Sequence, residues 1–121
     1  MPLTCLIVDD NADFLEAARD LLEREGIAVV GVASTSAEAL RRADELRPDV
    51  TLVDIELGGE SGFDLADRLA SARDGRRSPV ILVSTYAEKD FADLIATSPA
   101  VGFLSKSTIS STAILEILGR A

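Results

Sequence analysis

Four apolar segments of the chain end in polar residues whose side chains could together transfer a phosphoryl group. The segments read TCLIVDD, DVTLVD, PVILVS and VGFLSK, and they end on the pair Asp9 and Asp10, on Asp54, on Ser84 and on Lys106. Open parallel sheets bind their ligands in the crevice at the carboxyl ends of the strands. If these segments are strands of one sheet, we expect three carboxylates, a hydroxyl and an ammonium to meet there.

The three carboxylates form a candidate metal site. Asp9, Asp10 and Asp54 offer the oxygen ligands that Mg²⁺ prefers, and a cation would offset the repulsion between them. The sequence Asp9-Asp10-Asn11 is also typical of the start of a helix, where a short polar side chain caps the first turn. The two roles are compatible, and the presence of Asp54 and Lys106 favours the metal site.

Asp54 is the candidate nucleophile, because a carboxylate can attack a phosphoryl group and become an aspartyl phosphate. Ser84 can donate its hydroxyl to one phosphoryl oxygen, and Lys106 can donate its ammonium to another. Taken singly, Ser84 is an ordinary hydroxyl at a strand end and Lys106 an ordinary surface lysine. Only the full set points to phosphoryl transfer.

Five strand-like segments alternate with segments of helical periodicity. Four of the five are near-continuous apolar runs, typical of strands covered on both faces, and the second has smaller side chains and is expected at an edge. We therefore predict an α/β fold, a flavodoxin-like doubly wound five-stranded parallel sheet of order 2-1-3-4-5 with five helices. The one long connection, Arg73–Ser78, is basic and expected at the surface. The predicted strands are Leu3–Val8, Ile27–Ala33, Val50–Asp54, Val80–Ser84 and Val101–Ser105.

Length and composition are typical of a single globular domain. We expect residues 1–121 to form a single domain, because a chain of 121 residues that is 47% hydrophobic can bury a core. The apolar stretches are too short to span a membrane and no secretory signal is visible, so we expect a cytoplasmic location. Cys5 is the only cysteine, which excludes an internal disulfide and favours a buried small hydrophobic residue.

The charged residues narrow the function further. A net charge of −9 argues against direct nucleic-acid binding. The chain contains no histidine, which excludes histidine general bases, Ser-His-Asp and Cys-His nucleophile systems and histidine metal ligands. The chain cannot be a phosphohistidine donor either, so any phosphoryl group must come from another molecule.

At these positions the chain resembles the receiver domain of a two-component response regulator. The resemblance covers Leu3–Leu118 and rests on the acidic pair, on Asp54 followed by Gly62, and on Ser84 and Lys106 at the family's spacing. It implies a signalling switch in which Asp54 is phosphorylated by a histidine kinase, a phosphotransfer protein or a small phosphodonor. Such a domain catalyses only its own modification and acts on a downstream output domain or target protein.

The resemblance also implies individual roles. Asp10 would bind Mg²⁺ directly, Asp9 would act through a water molecule, and the backbone carbonyl of Glu56 would complete the protein ligands. Phe103 falls at the position of the family's switch aromatic. We expect phosphorylation to change the surface around the fourth helix, the fifth strand and the fifth helix, where a homodimer could form.

Some positions depart from the commonest pattern of the family. Gly58 stands where proline is frequent, and Ser107 follows the lysine where many relatives have proline, which leaves the usual cis peptide there open. Thr85 stands where alanine or glycine is usual. Because Thr85, Glu56 and Tyr86 lie at the mouth of the site in the resembled fold, we expect them to set the lifetime of the phosphoryl group.

Two other functions are open at this point. VTLVDIE superficially resembles the DxD motif of haloacid-dehalogenase-like phosphohydrolases, which use an aspartyl nucleophile, but here the second acid is Glu56 and no cap domain is available. A pseudo-receiver would bind a partner without being phosphorylated and would not need Asp10, Asp54 and Lys106. Turnover of a generic phosphomonoester would distinguish the phosphohydrolase from the switch.

Overall fold

Strands and helices alternate along the chain, as the periodicity predicts. The computed structural model describes residues 2–71 and 79–120, so the predicted surface connection Arg73–Ser78 lies outside the described residues. The strands of the main sheet are β1 (Thr4–Val8), β2 (Ala28–Ala33), β3 (Val50–Asp54), β4 (Val80–Ser84) and β5 (Gly102–Ser105). The helices are α1 (Ala12–Arg24), α2 (Ser36–Leu46), α3 (Gly62–Ala70), α4 (Ala92–Thr97) and α5 (Ser111–Arg120).

The five strands form one parallel sheet in the order β2-β1-β3-β4-β5. The predicted fold class and strand order are thus confirmed, with β2 at an edge. The register brings the carboxyl ends of neighbouring strands level, since Val8 pairs with Val53 and Ser84 pairs with Ser105. The residues that end or follow β1, β3, β4 and β5 therefore reach the same edge of the sheet.

Apolar side chains cover both faces of this sheet. Along β1, Cys5 and Ile7 pack in the cluster that includes residues of α1 and α5, while Leu6 and Val8 pack in the cluster that includes residues of α2 and α3. Successive side chains of a strand point to opposite faces, which is why a strand covered on both sides is apolar throughout. Burial raises the pKa of the Cys5 thiol to about 12, in keeping with its place in the core.

The loops at the functional edge are fixed by capped helix ends. Asn11, Thr35 and Ser61 precede α1, α2 and α3, and the side chain of each accepts a hydrogen bond from a backbone amide of the first turn. Between β3 and α3 the chain forms a small antiparallel hairpin, in which Glu56–Leu57 pairs with Glu60–Ser61. Periodicity does not predict this hairpin, because its strands are only two residues long.

Candidate functional site

Lys106 lies between two buried carboxylates at the carboxyl edge of the sheet. Its Nζ is 2.5 Å from Asp9 Oδ2 and 3.3 Å from Asp54 Oδ2. Asp9 is only 1% exposed and Asp54 only 7%. Two carboxylates removed from water in this way need a compensating charge, and the ammonium supplies it. The structure thus brings the ends of β1, β3 and β5 together as the sequence predicts.

The predicted metal ligands are close enough to bind one cation. One carboxylate oxygen from each of Asp9, Asp10 and Asp54 lies within 4.8 Å of the other two. Asp9 Oδ2 is buried, and its partner among the described residues is the Lys106 ammonium. Three hard oxygen donors in one place fit a divalent cation such as Mg²⁺.

The protonation of Asp54 is perturbed by its surroundings. Burial, and after it the charge of Asp9, raise the pKa of Asp54 from 3.8 to about 6, although Lys106 and the backbone N–H of Glu56 act in the opposite direction. Burial lowers the pKa of Lys106, but the contacts of its ammonium with Asp9 and Asp54 outweigh burial and leave this pKa raised. A buried carboxylate with a perturbed pKa beside a fixed cation is characteristic of functional sites.

Glycines allow the loop after Asp54 to approach the site closely. Gly58 and Gly59 form the hairpin turn with φ angles of +52° and +96°. A Cβ on Gly58 would lie 2.8 Å from Asp10 Oδ2, and one on Gly62 would lie 2.1 Å from the carbonyl oxygen of Asp54. Proline cannot replace Gly58 in this turn, because its ring fixes φ near −65°. The turn that this chain forms therefore requires a residue other than proline at position 58.

The end of β4 forms the opposite wall of the site. Ser84 is 2% exposed, and its Oγ accepts a hydrogen bond from the backbone N–H of Tyr86 at 3.0 Å. Because an accepting hydroxyl keeps its own hydrogen, Ser84 can still donate to a ligand. Thr85 and Tyr86 are exposed. The residues lining the open cavity of about 470 Å³ at this edge are Asp10, Asn11, Asp54, Glu56, Gly58, Gly59, Glu60, Ser84, Thr85, Tyr86 and Lys106.

Phe103 lies outside this cavity. It is half-buried on β5, where it pairs with Leu82, and it packs against the cluster on the α2 and α3 side. Phe91 and Ile95, just before and within α4, pack against the same cluster. The structure therefore places Phe103 beside the fourth helix and outside the cavity that Asp10 and Asp54 line.

Sequence reasoning does not place Phe14, Asn11 and Glu60 at the site. The ring centroid of Phe14 is 4.5 Å from Lys106 Nζ. Asn11 and Glu60 line the cavity, and Glu60 Oε1 also accepts a hydrogen bond from the backbone N–H of Ser36 at 3.0 Å. Phe14 follows the acidic pair by about one helical turn, a spacing that could have indicated its place. No sequence spacing indicates the place of Glu60, because the hairpin between β3 and α3 brings this residue to the cavity.

The turn that follows Lys106 is formed without a cis peptide bond. All peptide bonds in the described part of the chain are trans, including the one between Lys106 and Ser107. The backbone N–H of Ser107 donates to Ser105 Oγ at 3.4 Å, and the hydroxyls of these two serines lie 2.9 Å apart. A proline at this position would lack that N–H.

Comparison with known proteins decides between the functions that the sequence leaves open. A family model described as the response regulator receiver domain matches residues 5–118. The chain belongs to the response regulator receiver domain family. It is therefore a phosphoacceptor switch of two-component signalling, and neither the phosphohydrolase nor the pseudo-receiver is favoured.

Individual receiver proteins resemble the chain over most of its length. The polar-differentiation response regulator DivK of Brucella anthropi is 34% identical over 106 residues, which are 88% of this chain and 85% of that protein. The crystal structure of the signal receiver domain of a modulated diguanylate cyclase from Desulfovibrio desulfuricans is 30% identical, with a TM-score of 0.81. That alignment covers 100% of this chain and 94% of the other.

Other relatives are much longer than the matched region. A protein-glutamate methylesterase/protein-glutamine glutaminase of Myxococcus xanthus is 34% identical over 98% of this chain, which spans only 34% of that protein. The chain likewise spans 50% of the transcriptional regulatory protein PdtaR of Mycobacterium tuberculosis, with 26% identity over 88% of this chain. None of the described helices is long and apolar enough to cross a membrane.

Proposed function

We propose that Asp54 is the residue that accepts the phosphoryl group, from a histidine kinase, a phosphotransfer protein or a small phosphodonor. One observation carries this assignment: of the described acidic residues, Asp54 alone both lines the cavity and contacts Lys106. Asp10 lines the cavity, and Asp9 contacts Lys106 from a buried position. Asp54 is therefore the carboxylate that an incoming phosphoryl group can reach while a fixed cation lies beside it.

The side chains around Asp54 suit the transfer. An Asp54 oxygen attacks the phosphorus atom, and the P–N bond of a phosphohistidine donor breaks as the new P–O bond forms. The electron pair of the broken bond stays on the imidazole nitrogen. Lys106 and Ser84 each donate a hydrogen bond to a phosphoryl oxygen, which stabilises the charge that these oxygens carry.

Asp9, Asp10, Asp54 and the backbone carbonyl of Glu56 would hold Mg²⁺ at this site. When bound, the ion supplies positive charge that offsets the charge of the transferring group. We expect Asp10→Asn to weaken Mg²⁺ binding, because it removes an exposed carboxylate that lines the cavity. Lys106→Ala should leave Mg²⁺ binding in place, because it removes none of the metal ligands. It should slow phosphorylation, because it removes the ammonium that contacts Asp54.

Intact mass spectrometry tests the assignment directly. The protein is incubated with phosphoramidate or acetyl phosphate, with Mg²⁺ or with EDTA, and the labelled residue is identified after borohydride reduction. We expect one phosphoryl group, on Asp54, formed only with Mg²⁺. The chain contains no histidine, so no phosphohistidine can contribute to the signal.

Two variants complete the experiment. Asp54→Asn should abolish labelling, whereas Asp20→Asn, which removes a charge from the exposed face of α1, should label as fast as the wild type. Equal labelling of Asp54→Asn and the wild type would refute the assignment. Borohydride trapping on Asp10 would show that the wrong member of the acidic cluster has been chosen.

The signal is proposed to leave the domain through the surface formed by 91–98, by 101–105 and by α5. Leu94 and Leu115, on α4 and α5, are each 53% exposed, and Val101 before β5 is 38% exposed. Apolar side chains that are exposed to solvent in the unphosphorylated state can bind a partner in the phosphorylated state. That partner would be a downstream domain, a target protein or a second copy of this chain. With a net charge of −9, nucleic acid is not a proposed partner of this domain.

A further inference from the structure

The ring of Phe14 is the third neighbour of the Lys106 ammonium, besides the carboxylates of Asp9 and Asp54. Nζ lies over the face of the ring, 4.5 Å from its centroid. The face of an aromatic ring carries the negative part of its quadrupole and attracts a cation within about 6 Å. The ammonium is therefore held from three directions, by Asp9, by Asp54 and by the ring.

Phe14 is itself fixed relative to the acidic pair. The backbone N–H of Asn11 donates to Asp9 Oδ1 at 2.8 Å, and Asn11 Oδ1 accepts from the backbone N–H of Phe14 at 3.1 Å. The half-buried ring also packs against the core cluster on the α1 and α5 side. Two hydrogen bonds through Asn11 thus connect the Asp9 carboxylate, which Lys106 contacts, to the backbone amide of Phe14.

A lysine in this site needs such a neighbour. Its ammonium is a point charge on four flexible bonds, and ordering it costs rotamer entropy. Asp10 and Glu56 line the same cavity and offer competing partners for the ammonium. We propose that Phe14 is a positioning residue for phosphoryl transfer, which through its ring face holds the Lys106 ammonium beside Asp54; this role rests on the proposed function of Asp54.

Lysine NMR tests the positioning without any reaction. Lys106 and Lys89 are the only lysines of the chain, and Lys89 is exposed, so ¹³Cε labelling gives two signals with an internal reference. In the wild type we expect the Lys106 methylene to be ordered and shifted upfield by the ring. In Phe14→Leu the order parameter of the Lys106 methylene should fall to about that of the exposed Lys89. If the order parameter of Lys106 is the same in Phe14→Leu as in the wild type, the proposal is overturned. In that case the ring only fills space in the core and does not hold the lysine.

The rate of phosphorylation by phosphoramidate is the second measurement. We expect it to be about fivefold lower in Phe14→Leu than in the wild type and close to the wild type in Phe14→Tyr, which keeps the ring face. Phe63→Leu removes a ring of similar burial from the opposite core cluster and controls for lost packing. Site-specific replacement of Phe14 by trifluorophenylalanine keeps the shape of the ring and weakens its quadrupole, so it should give an intermediate rate.

The outcomes separate this proposal from the assignment of Asp54. If the wild type is labelled on Asp54 and the rate in Phe14→Leu equals that in Phe63→Leu, the role of Phe14 is refuted while Asp54 remains the acceptor. If the label is found elsewhere, the proposed function fails whatever the Phe14 variants show. A rate for the trifluorinated protein equal to that of the wild type would mean that shape, not the ring face, holds the lysine.

Discussion

Asp54 Oδ2 and Lys106 Nζ lie 3.3 Å apart, although 52 residues separate them in the chain. The same ammonium contacts Asp9, so one positive charge faces two buried carboxylates. The exposed carboxylate of Asp10 adds a further negative charge within 4.8 Å. Without a bound metal ion, the single ammonium therefore faces three carboxylates. We expect the repulsion between these carboxylates to lower the free energy of unfolding.

We expect the metal-free protein to become less stable as the pH rises from about 4 to about 6. The pKa of Asp54 is raised by burial from 3.8 to about 6, so the folded state binds a proton more tightly than the unfolded state in this window. Stability falls with pH wherever the folded state binds more protons. Asp54→Asn should thus raise the free energy of unfolding at pH 7 by at most about 3 kcal/mol, since one pKa unit corresponds to about 1.4 kcal/mol.

Urea unfolding in EDTA at a series of pH values measures this effect. The difference between Asp54→Asn and the wild type should be largest above pH 6 and should vanish only well below the unfolded-state pKa of 3.8, where Asp54 is protonated in both states. Asp20→Asn controls for the removal of one charge from a chain of net charge −9. A wild type that is as stable as Asp54→Asn at pH 7 would contradict the prediction.

The sheet and the ends of its strands could be predicted because their signals are local. Two of the predicted strands, Val50–Asp54 and Val80–Ser84, have the observed limits, and the others begin one residue early. Four of the five strands are apolar runs that end on, or are followed directly by, a polar residue of the site. Once a parallel sheet is assumed, these polar residues must lie at one edge, which is why Asp9, Asp54 and Lys106 could be grouped without coordinates.

The rest of the site depends on geometry that no local pattern carries. The hairpin after Asp54 depends on positive φ angles at Gly58 and Gly59, which a glycine pair permits but does not require. The place of Phe14 beside Lys106 depends on the direction in which α1 leaves the sheet, and the apolar stripe of a helix shows only that the ring is packed. Contacts between distant segments are therefore the part that sequence reasoning misses.

We expect Gly58→Ala to weaken Mg²⁺ binding by about three- to tenfold, which corresponds to ~0.7–1.4 kcal/mol. The new Cβ would lie 2.8 Å from Asp10 Oδ2 and would displace that carboxylate. Gly59→Ala is the matched control: it also has a positive φ, but its Cβ would meet no atom within 4 Å. Both variants should lose stability through strain, and only Gly58→Ala should lose affinity for Mg²⁺.

Mg²⁺ binding can be measured by calorimetry or by the fluorescence of Tyr86, the only tyrosine. If Gly58→Ala and Gly59→Ala bind Mg²⁺ with equal affinity, the predicted clash with Asp10 is refuted.

The lifetime of the phosphoryl group should depend on the branched side chain of Thr85. Thr85 is exposed and lines the cavity, where its methyl group can hinder an attacking water molecule. We expect Thr85→Ala to speed dephosphorylation about threefold, or ~0.7 kcal/mol in the barrier. Thr85→Val keeps the branching and should stay slow, whereas Thr85→Ser loses it and should be fast. A half-life that is the same in all four proteins would show that access at this point is not limiting.

Phosphorylation should change the conformation of Phe103 and of α4. Ser84 Oγ now accepts a hydrogen bond from the Tyr86 amide, and donation to a phosphoryl oxygen would draw the end of β4 inward. Phe103 is half-buried and packs against the same cluster as Phe91, so space made under α4 could be filled by its ring. Burying an aromatic ring contributes roughly 1.5–3 kcal/mol, enough to shift the populations of two close states.

NMR spectra with and without beryllofluoride and Mg²⁺ measure this coupling. We expect shifts at Asp54, at Phe103 and along α4 (Ala92–Thr97) in the wild type. Ser84→Ala should keep the shifts near Asp54 but lose those at Phe103 and in α4, because it removes the hydroxyl that connects the two regions. Phe103→Leu should reduce the shifts in α4 alone. If beryllofluoride shifts only the loops around Asp54 and Ser84 in the wild type, Phe103 is a static core residue and the signal leaves the domain by another route.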